Sequence, residues 1–196
     1  MSNAMTKRIS LAEIAHDNVR EHLRVGDTAI DATVGNGHDT MFLAQCVGES
    51  GHVHGFDIQA QALQKTRQRL QAEGLQDRVI LHLASHAEMV LRVSQACRGR
   101  IQAIMFNLGY LPGADKNLIT QPDSTLPALE AACNLLAPQG IITVMAYPGH
   151  AGGDEETMLV EQWFGQLESE CYQVGTIFSA HHQASAPRLF VIRKLS

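Results

Sequence analysis

Three short stretches of this chain gather residues able to do chemistry. The first is Asp31-Ala32-Thr33-Val34-Gly35-Asn36-Gly37. Its two glycines let a backbone turn tightly and approach a ligand closely, and the acid beside the turn can attract a cationic group. A second acid, Asp57, follows about twenty residues beyond the turn, where a strand-end carboxylate accepts hydrogen bonds from both hydroxyls of a ribose. The second stretch is Asn107-Leu108-Gly109-Tyr110. An Asn oxygen and a neighbouring backbone carbonyl can accept the two N–H bonds of a neutral amine and aim its lone pair. An aromatic ring beside them can hold a planar base by stacking. The third stretch, Tyr147-Pro148-Gly149-His150-Ala151-Gly152-Gly153, is too rich in glycine to be ordinary loop filler.

A dinucleotide-binding fingerprint needs a third glycine, G-x-G-x-x-G. Thr40 stands at that position. A turn without a diphosphate site suits an adenosyl group joined to an amino acid, so the pattern points to S-adenosylmethionine as cofactor. The candidate cofactor-binding residues are Asp31, Thr33, Gly35, Asn36, Gly37, Asp39, Thr40, Asp57, Ile58, Ser85, His86 and Asn107. Asp31 would hold the ligand's ammonium group, directly or through water. Ser85 or His86, just after the third strand, would lie against the adenine; Ser85 serves equally as a helix N-cap.

Methyl transfer from a sulfonium ion is an in-line displacement, and the accepting amine must be neutral. Asn107 and the Leu108 carbonyl are the candidate amine acceptors, with Tyr110 as the platform. Asp115 takes the amine's proton or forms a salt bridge with Lys116, which otherwise contacts a phosphate. His150 is a general base, its ordinary pKa lying near working pH, or a structural histidine. The catalytic set is therefore Asn107, Tyr110, Asp115 and His150.

These residues need strand ends to hold them. Ser10-Leu11-Ala12-Glu13 has the capping-box form and opens a helix whose Leu11, Ile14, Ala15, Val19 and Leu23 follow helical spacing, up to Gly26. Strands are expected at Thr28 to Thr33, His52 to Asp57, Val79 to Leu83, Ile101 to Asn107 and Gly140 to Ala146. Helices fall between them, at Asp39 to Val47, Gln59 to Glu73, Glu88 to Cys97 and, capped by Asp123 or Ser124, up to Leu136. A further helix from Asp154 to Leu167 precedes Tyr172 to Phe178 and Leu189 to Lys194, two strands with no helix between them. Alternation implies a parallel sheet covered on both faces; the terminal pair implies an antiparallel hairpin at one edge. The fold class is α/β and Rossmann-like: a seven-stranded, mostly parallel sheet with a C-terminal antiparallel hairpin and helices on both faces. Dinucleotide dehydrogenases usually end in another parallel strand.

A length of 196 residues suits one domain with a real core. Met1 to Ala4, ahead of Met5, reads as an expression-tag remnant, leaving residues 5–196 as the domain. No apolar run approaches the roughly 18 residues that span a bilayer, and no signal peptide is evident, so a cytoplasmic protein without membrane contact is expected. The four cysteines, Cys46, Cys97, Cys133 and Cys171, lack zinc spacing and read as buried reduced thiols. The ten histidines are scattered, and the adjacent His181 and His182 would point to opposite faces of a strand; no metal is expected. Net charge is −5, which opposes a long electrostatic grip on nucleic acid. Lys7, Arg8, Arg20 and Arg24 form one basic cluster and Arg188, Arg193 and Lys194 another; each reads as a local patch or as a solvated face.

The segments Asp31 to Thr40, Asn107 to Gly113 with Asp115-Lys116, and Tyr147 to Gly153 with Glu155 resemble the "putative rRNA methylase" family, nearly along the whole chain. Some members methylate the 5-aminomethyl group of 2-thiouridine at the tRNA wobble position. The resemblance implies tRNA as substrate and a 5-methylaminomethyl product, and makes the rRNA label an assignment by analogy. A homodimer would enlarge the surface that so small and acidic an enzyme offers to tRNA. This chain departs from the family in two loops. Gly113-Ala114-Asp115-Lys116 stands where Gly-Gly-Asp-Lys is common, and Gln183 to Pro187 replaces a loop carrying Asn and a Pro pair. Competing readings are a methyltransferase for rRNA or a small amine, a non-catalytic cofactor-binding module, and an NAD-dependent oxidoreductase. Intact Asn107 and Tyr110 oppose the module, and Thr40 with the terminal hairpin opposes the oxidoreductase.

Overall fold

The computed structural model describes residues 9–109, 119–149, 152–179 and 185–196. Seven strands form one sheet: β1 (Thr28–Asp31), β2 (His52–Asp57), β3 (Val79–Leu83), β4 (Ile101–Asn107), β5 (Leu136–Ala146), β6 (Tyr172–Phe178) and β7 (Arg188–Lys194). Their order is β3-β2-β1-β4-β5-β7-β6. The pairs among β1 to β5 are parallel, while β7 runs antiparallel to both β5 and β6. The expected Rossmann-like sheet with its antiparallel terminal hairpin is the observed one. Chain order reverses between β1 and β4, so a crevice opens at the carboxyl ends of these strands.

Among the described residues six helices flank the sheet: α1 (Leu11–His22), α2 (His38–Val47), α3 (Ala60–Ala72), α4 (Met89–Arg92), α5 (Pro122–Leu135) and α6 (Gly153–Phe164). Successive strand residues face opposite sides, and the core divides accordingly. Ile30, Phe56, Ile104, Phe106 and Phe190 pack with Leu129 of α5 and Phe164 of α6. Ala29, Val53, Ala103 and Met105 pack on the other face with Val19 of α1, Leu43 of α2 and Leu70 of α3. The central strands therefore read as unbroken apolar runs, as burial on both faces requires. Among the described residues no helix is long and apolar enough to cross a membrane.

The Ser10 capping box forms as expected: the Ser10 hydroxyl accepts from the Glu13 N–H at 3.1 Å, and the Ser10 N–H donates to the Glu13 carboxylate at 2.8 Å. Several other expectations need correction. The helix expected over Glu88 to Cys97 breaks into α4 flanked by 3₁₀ turns at His86–Glu88 and Gln95–Cys97. Val93 turns extended there, and the Ser94 hydroxyl caps its own short turn through the Ala96 N–H. Helix α5 starts at Pro122, ahead of Asp123 and Ser124, because proline suits the first helical position. Strand β5 begins at Leu136, opposite Ile101, well before Gly140. Of the four cysteines only Cys133 is buried; Cys46, Cys97 and Cys171 are half-buried, and all four are free thiols.

Candidate active site

The glycine turn lies at the carboxyl end of β1 and hands the chain to α2. Gly37 caps α2 in the left-handed conformation, with φ +78°. A Cβ there would overlap the Thr66 side chain of α3, so glycine is required by both torsion and space. Asp57, at the end of β2, ties the turn down. One carboxylate oxygen accepts from the Gly35 N–H at 2.8 Å and the other from the Gln59 N–H at 2.8 Å. Burial raises the Asp57 pKa, opposed by hydrogen bonds from the Gln59, Gly35 and Ile58 backbone. Three backbone donors on about four lone-pair sites leave the carboxylate able to accept from a ligand hydroxyl. Beside it the Ile58 side chain is 57% exposed, an apolar face next to a carboxylate. A tight turn, a strand-end acid and an exposed apolar side chain fit an adenosyl ligand.

Asp31 is fully buried. Its oxygens accept from the Thr33 N–H at 3.1 Å and the Thr40 hydroxyl at 2.5 Å. Burial pushes its pKa up to about 7, helped by the negative charges of Asp39 and Asp57 and opposed by the Thr40 and Thr33 bonds. Asp31 is walled in by Thr33 and Thr40, so of the two expected modes, direct contact with a ligand ammonium group or contact through water, the first has no open oxygen in this structure. Thr33 in turn accepts the Asn107 N–H at 2.6 Å, joining the β1 turn to the end of β4.

Asn107 stands at the centre of this arrangement. Its side-chain NH₂ donates to Asp39 at 2.5 Å, and the second Asp39 oxygen lies 2.6 Å from His16 Nε2. The Asn107 amide oxygen is thereby left as the acceptor facing away from Asp39. Tyr147, after β5, is 39% exposed, and its hydroxyl is pushed up by burial and by the Asp39 charge.

Residues 53–193 match the model of a family described as "Putative rRNA methylase". The chain belongs to this family. It is an S-adenosylmethionine-dependent methyltransferase. A "tRNA (mnm(5)s(2)U34)-methyltransferase, chloroplastic" from Arabidopsis thaliana is 41% identical over 162 residues, 79% of this chain; the chain spans 58% of that relative's length. A "putative rRNA-methylase" from Clostridium thermocellum superposes with a TM-score of 0.91 at 39% identity, covering 97% of this chain and 100% of its own. A "putative methyltransferase" from Streptococcus mutans, solved in complex with SAH, gives 0.85 at 35% identity over 95% and 99% of the two chains.

Within this methylase the sequence-derived candidates divide. Asp31, Thr33, Gly35, Asn36, Gly37, Asp39, Thr40, Asp57, Ile58 and Asn107 come together around the β1, β2 and β4 ends. Ser85 takes its N-cap role, its hydroxyl accepting from the Ala87 N–H at 3.2 Å. His86 is buried rather than open to a ligand. Its ring bonds the Ala32 carbonyl and meets the Phe106 ring edge-on at 5.9 Å. Tyr110, Asp115, Lys116, His150, His181 and His182 lie outside the described residues, as do Lys7 and Arg8 of the first basic cluster.

The remaining cluster cations have partners of their own. Arg20 pairs with Asp17 at 2.5 Å, Arg24 bonds the Leu23 carbonyl, and Arg188 pairs with Glu161 at 2.7 Å. Arg193 bonds Asn18 and Lys194 the Leu136 carbonyl.

Two participants escaped the sequence reading. His16 sits on α1, whose pattern advertised only a core-facing helix. Glu156, 2% exposed on α6, accepts from the Thr120 and Thr125 hydroxyls at 2.6 Å each. Thr120 also accepts the Gly109 N–H at 2.7 Å, so Glu156 is linked through Thr120 to the chain just after β4. An acid in the first turn of a helix usually faces water, and nothing in its spacing marks this one as buried.

Proposed function

We propose that this methylase transfers a methyl group to the exocyclic nitrogen of a 5-aminomethyl group on the wobble uridine, or 2-thiouridine, of tRNA. The observation that carries the reading is Asn107 at the β4 carboxyl end, with its NH₂ already engaged by Asp39. Its oxygen is left to accept an amine N–H and so to aim the nitrogen lone pair. The Arabidopsis relative's name supports the wobble-uridine substrate.

S-adenosylmethionine supplies an electrophilic methyl carbon on a cationic sulfur. In this reading Asp57 accepts the ribose hydroxyls, Ile58 lies against the adenine, and the Gly35–Gly37 turn admits the amino-acid end close to the backbone. The buried charge of Asp31 favours the cationic ligand. The amine nitrogen forms its bond to the methyl carbon as the carbon–sulfur bond breaks, and the substrate must shed one proton to become nucleophilic. Tyr110 stacks on the base, and Asp115, His150 or water takes that proton.

The test uses purified protein, S-adenosylmethionine and tRNA carrying 5-aminomethyl-2-thiouridine, digested to nucleosides for mass spectrometry. One added methyl group is expected, and Asn107→Ala should lose turnover on the order of a hundredfold or more, far more than it loses in cofactor affinity. Equal activity of Asn107→Ala would reject the amine-orienting role. No methylation of this tRNA, with cofactor binding intact, would move the substrate to rRNA or a small amine, the latter favoured by the net charge of −5.

A further inference from the structure

We propose that His16 is a positioning residue for methyl transfer: by donating to Asp39 it fixes which way the Asn107 amide faces. The inference rests on the reading of Asn107 as amine acceptor and extends it to the N-terminal helix.

The geometry is a chain of three side chains from three elements. His16 Nε2, on α1, lies 2.6 Å from one Asp39 oxygen, and the other oxygen lies 2.5 Å from Asn107 Nδ2. The side chains of His16 and Asp39 are 24% and 14% exposed, so water competes weakly for these bonds. The His16 ring lies flat on Phe42, with centroids 3.9 Å apart and planes within 3°. That stacking and the burial of Ala15 and Val19 fix the ring against α2. A cavity of about 10 Å³ beside Asp39 and Asn107, walled by Ala12 and Ala15, has room for about one water.

The logic of donors and acceptors sets the orientation. An ionised carboxylate only accepts hydrogen bonds. Both partners of Asp39 must therefore donate, so His16 carries its proton on Nε2 and Asn107 presents NH₂. The amide oxygen then faces the reaction site. With the amide reversed, its NH₂ would confront the incoming amine, donor against donor. The His16 N–H, by holding one Asp39 oxygen, keeps the other turned to the Asn107 NH₂ and opposes that reversal. The Asn107 backbone, held by the Thr33 hydroxyl, leaves the side-chain amide as the element free to turn.

Two variants separate the hydrogen bond from the packing. His16→Phe keeps an aromatic ring to stack on Phe42 and removes the donor; His16→Gln restores a donor near the Nε2 position. Nitrogen-detected NMR of the unaltered protein should show the Nε2–H form of His16 and slow exchange of the Asn107 side-chain amide. In His16→Phe that exchange should accelerate. Turnover with 5-aminomethyl tRNA should fall about tenfold in kcat for His16→Phe and recover to within about threefold for His16→Gln. Cofactor affinity, measured by calorimetry, should stay unchanged in both.

An Nδ1–H tautomer, or amide exchange indifferent to His16→Phe, would overturn the proposal whatever the substrate. So would full turnover of His16→Phe beside an inactive Asn107→Ala, which leaves the Asn107 reading standing. Full activity of Asn107→Ala would instead remove the reading itself, and the proposal with it.

Discussion

Replacing Asp31 with Asn should change how the stability of the cofactor-free protein depends on pH. The Asp31 carboxyl rises from 3.8 to about 7 on folding, through burial first and then the Asp39 and Asp57 charges. Between those values the folded chain holds a proton that the unfolded chain has released. Stability from this group is therefore complete below the lower value and lost as pH rises to about 7, by up to about 1.4 kcal/mol per unit and on the order of 4 kcal/mol in all. His54 and His86 act in the opposite sense. Burial lowers both from 6.5 to about 4, so each favours the folded state as pH rises through that range. The two effects overlap in the unaltered protein, and the difference between it and Asp31→Asn isolates the acid. The amide reproduces the protonated acid: its oxygen accepts the Thr33 N–H, and its NH₂ donates to the Thr40 hydroxyl oxygen. Urea unfolding from about pH 5 to about pH 8 should show the Asn variant gaining on the unaltered protein up to about pH 7, then running parallel to it. A difference that stays flat across that range would refute a buried, proton-holding Asp31. Cofactor binding supplies the companion measurement. A cation near Asp31 favours its ionised form, so affinity for S-adenosylmethionine should tighten as pH rises through about 7 and lose that dependence in Asp31→Asn.

Asp57→Ala removes the acceptor of the Gly35 and Gln59 N–H groups as well as the proposed ribose partner; calorimetry should show cofactor affinity reduced by about 10- to 100-fold, and unchanged affinity would dismiss the ribose role. Gly37→Ala forces a Cβ into Thr66 at positive φ and should cost about 1–3 kcal/mol in thermal unfolding, with partial recovery in combination with Thr66→Ala. His86→Leu should flatten the acid-side loss of stability between about pH 6.5 and about pH 4, at a cost of about 1 kcal/mol for the Ala32 carbonyl left without its donor; an unaltered slope would mean that His86 does not stay neutral in the fold.

The frame of the molecule was readable because its signals are local or periodic. Apolar runs such as Ile101 to Phe106, buried on both faces, announce central parallel strands, and Ser10 with Glu13 announces a helix start from four residues alone. Gly35, Gly37, Asp57 and Asn107 were legible because strand ends in this topology converge on one crevice. What escaped depends on contacts between distant residues. Asp31 and Asp57 look alike in sequence, yet one is walled in by Thr33 and Thr40 while the other keeps lone pairs open. His16 and Asn107 lie ninety-one positions apart and meet only through Asp39. Ser85 and His86 are neighbours at one strand end, and the 3₁₀ turn sends the histidine inward beneath Ala32.

Three carboxylates crowd the crevice: Asp31 and Asp57 carry raised pKa values, and Asp39 adds its charge to the rise of Asp31. Such a cluster repels itself when no cation is present, and a ligand bearing a sulfonium and an ammonium group relieves that repulsion as it binds. Of the described cations in the two basic clusters, Arg20 pairs with Asp17 and Arg188 with Glu161, while Arg24, Arg193 and Lys194 bond neutral acceptors and keep their charge. If the substrate is tRNA as proposed, the net charge of −5 sets the expectation that its binding depends less on salt than that of a protein gripping many phosphates.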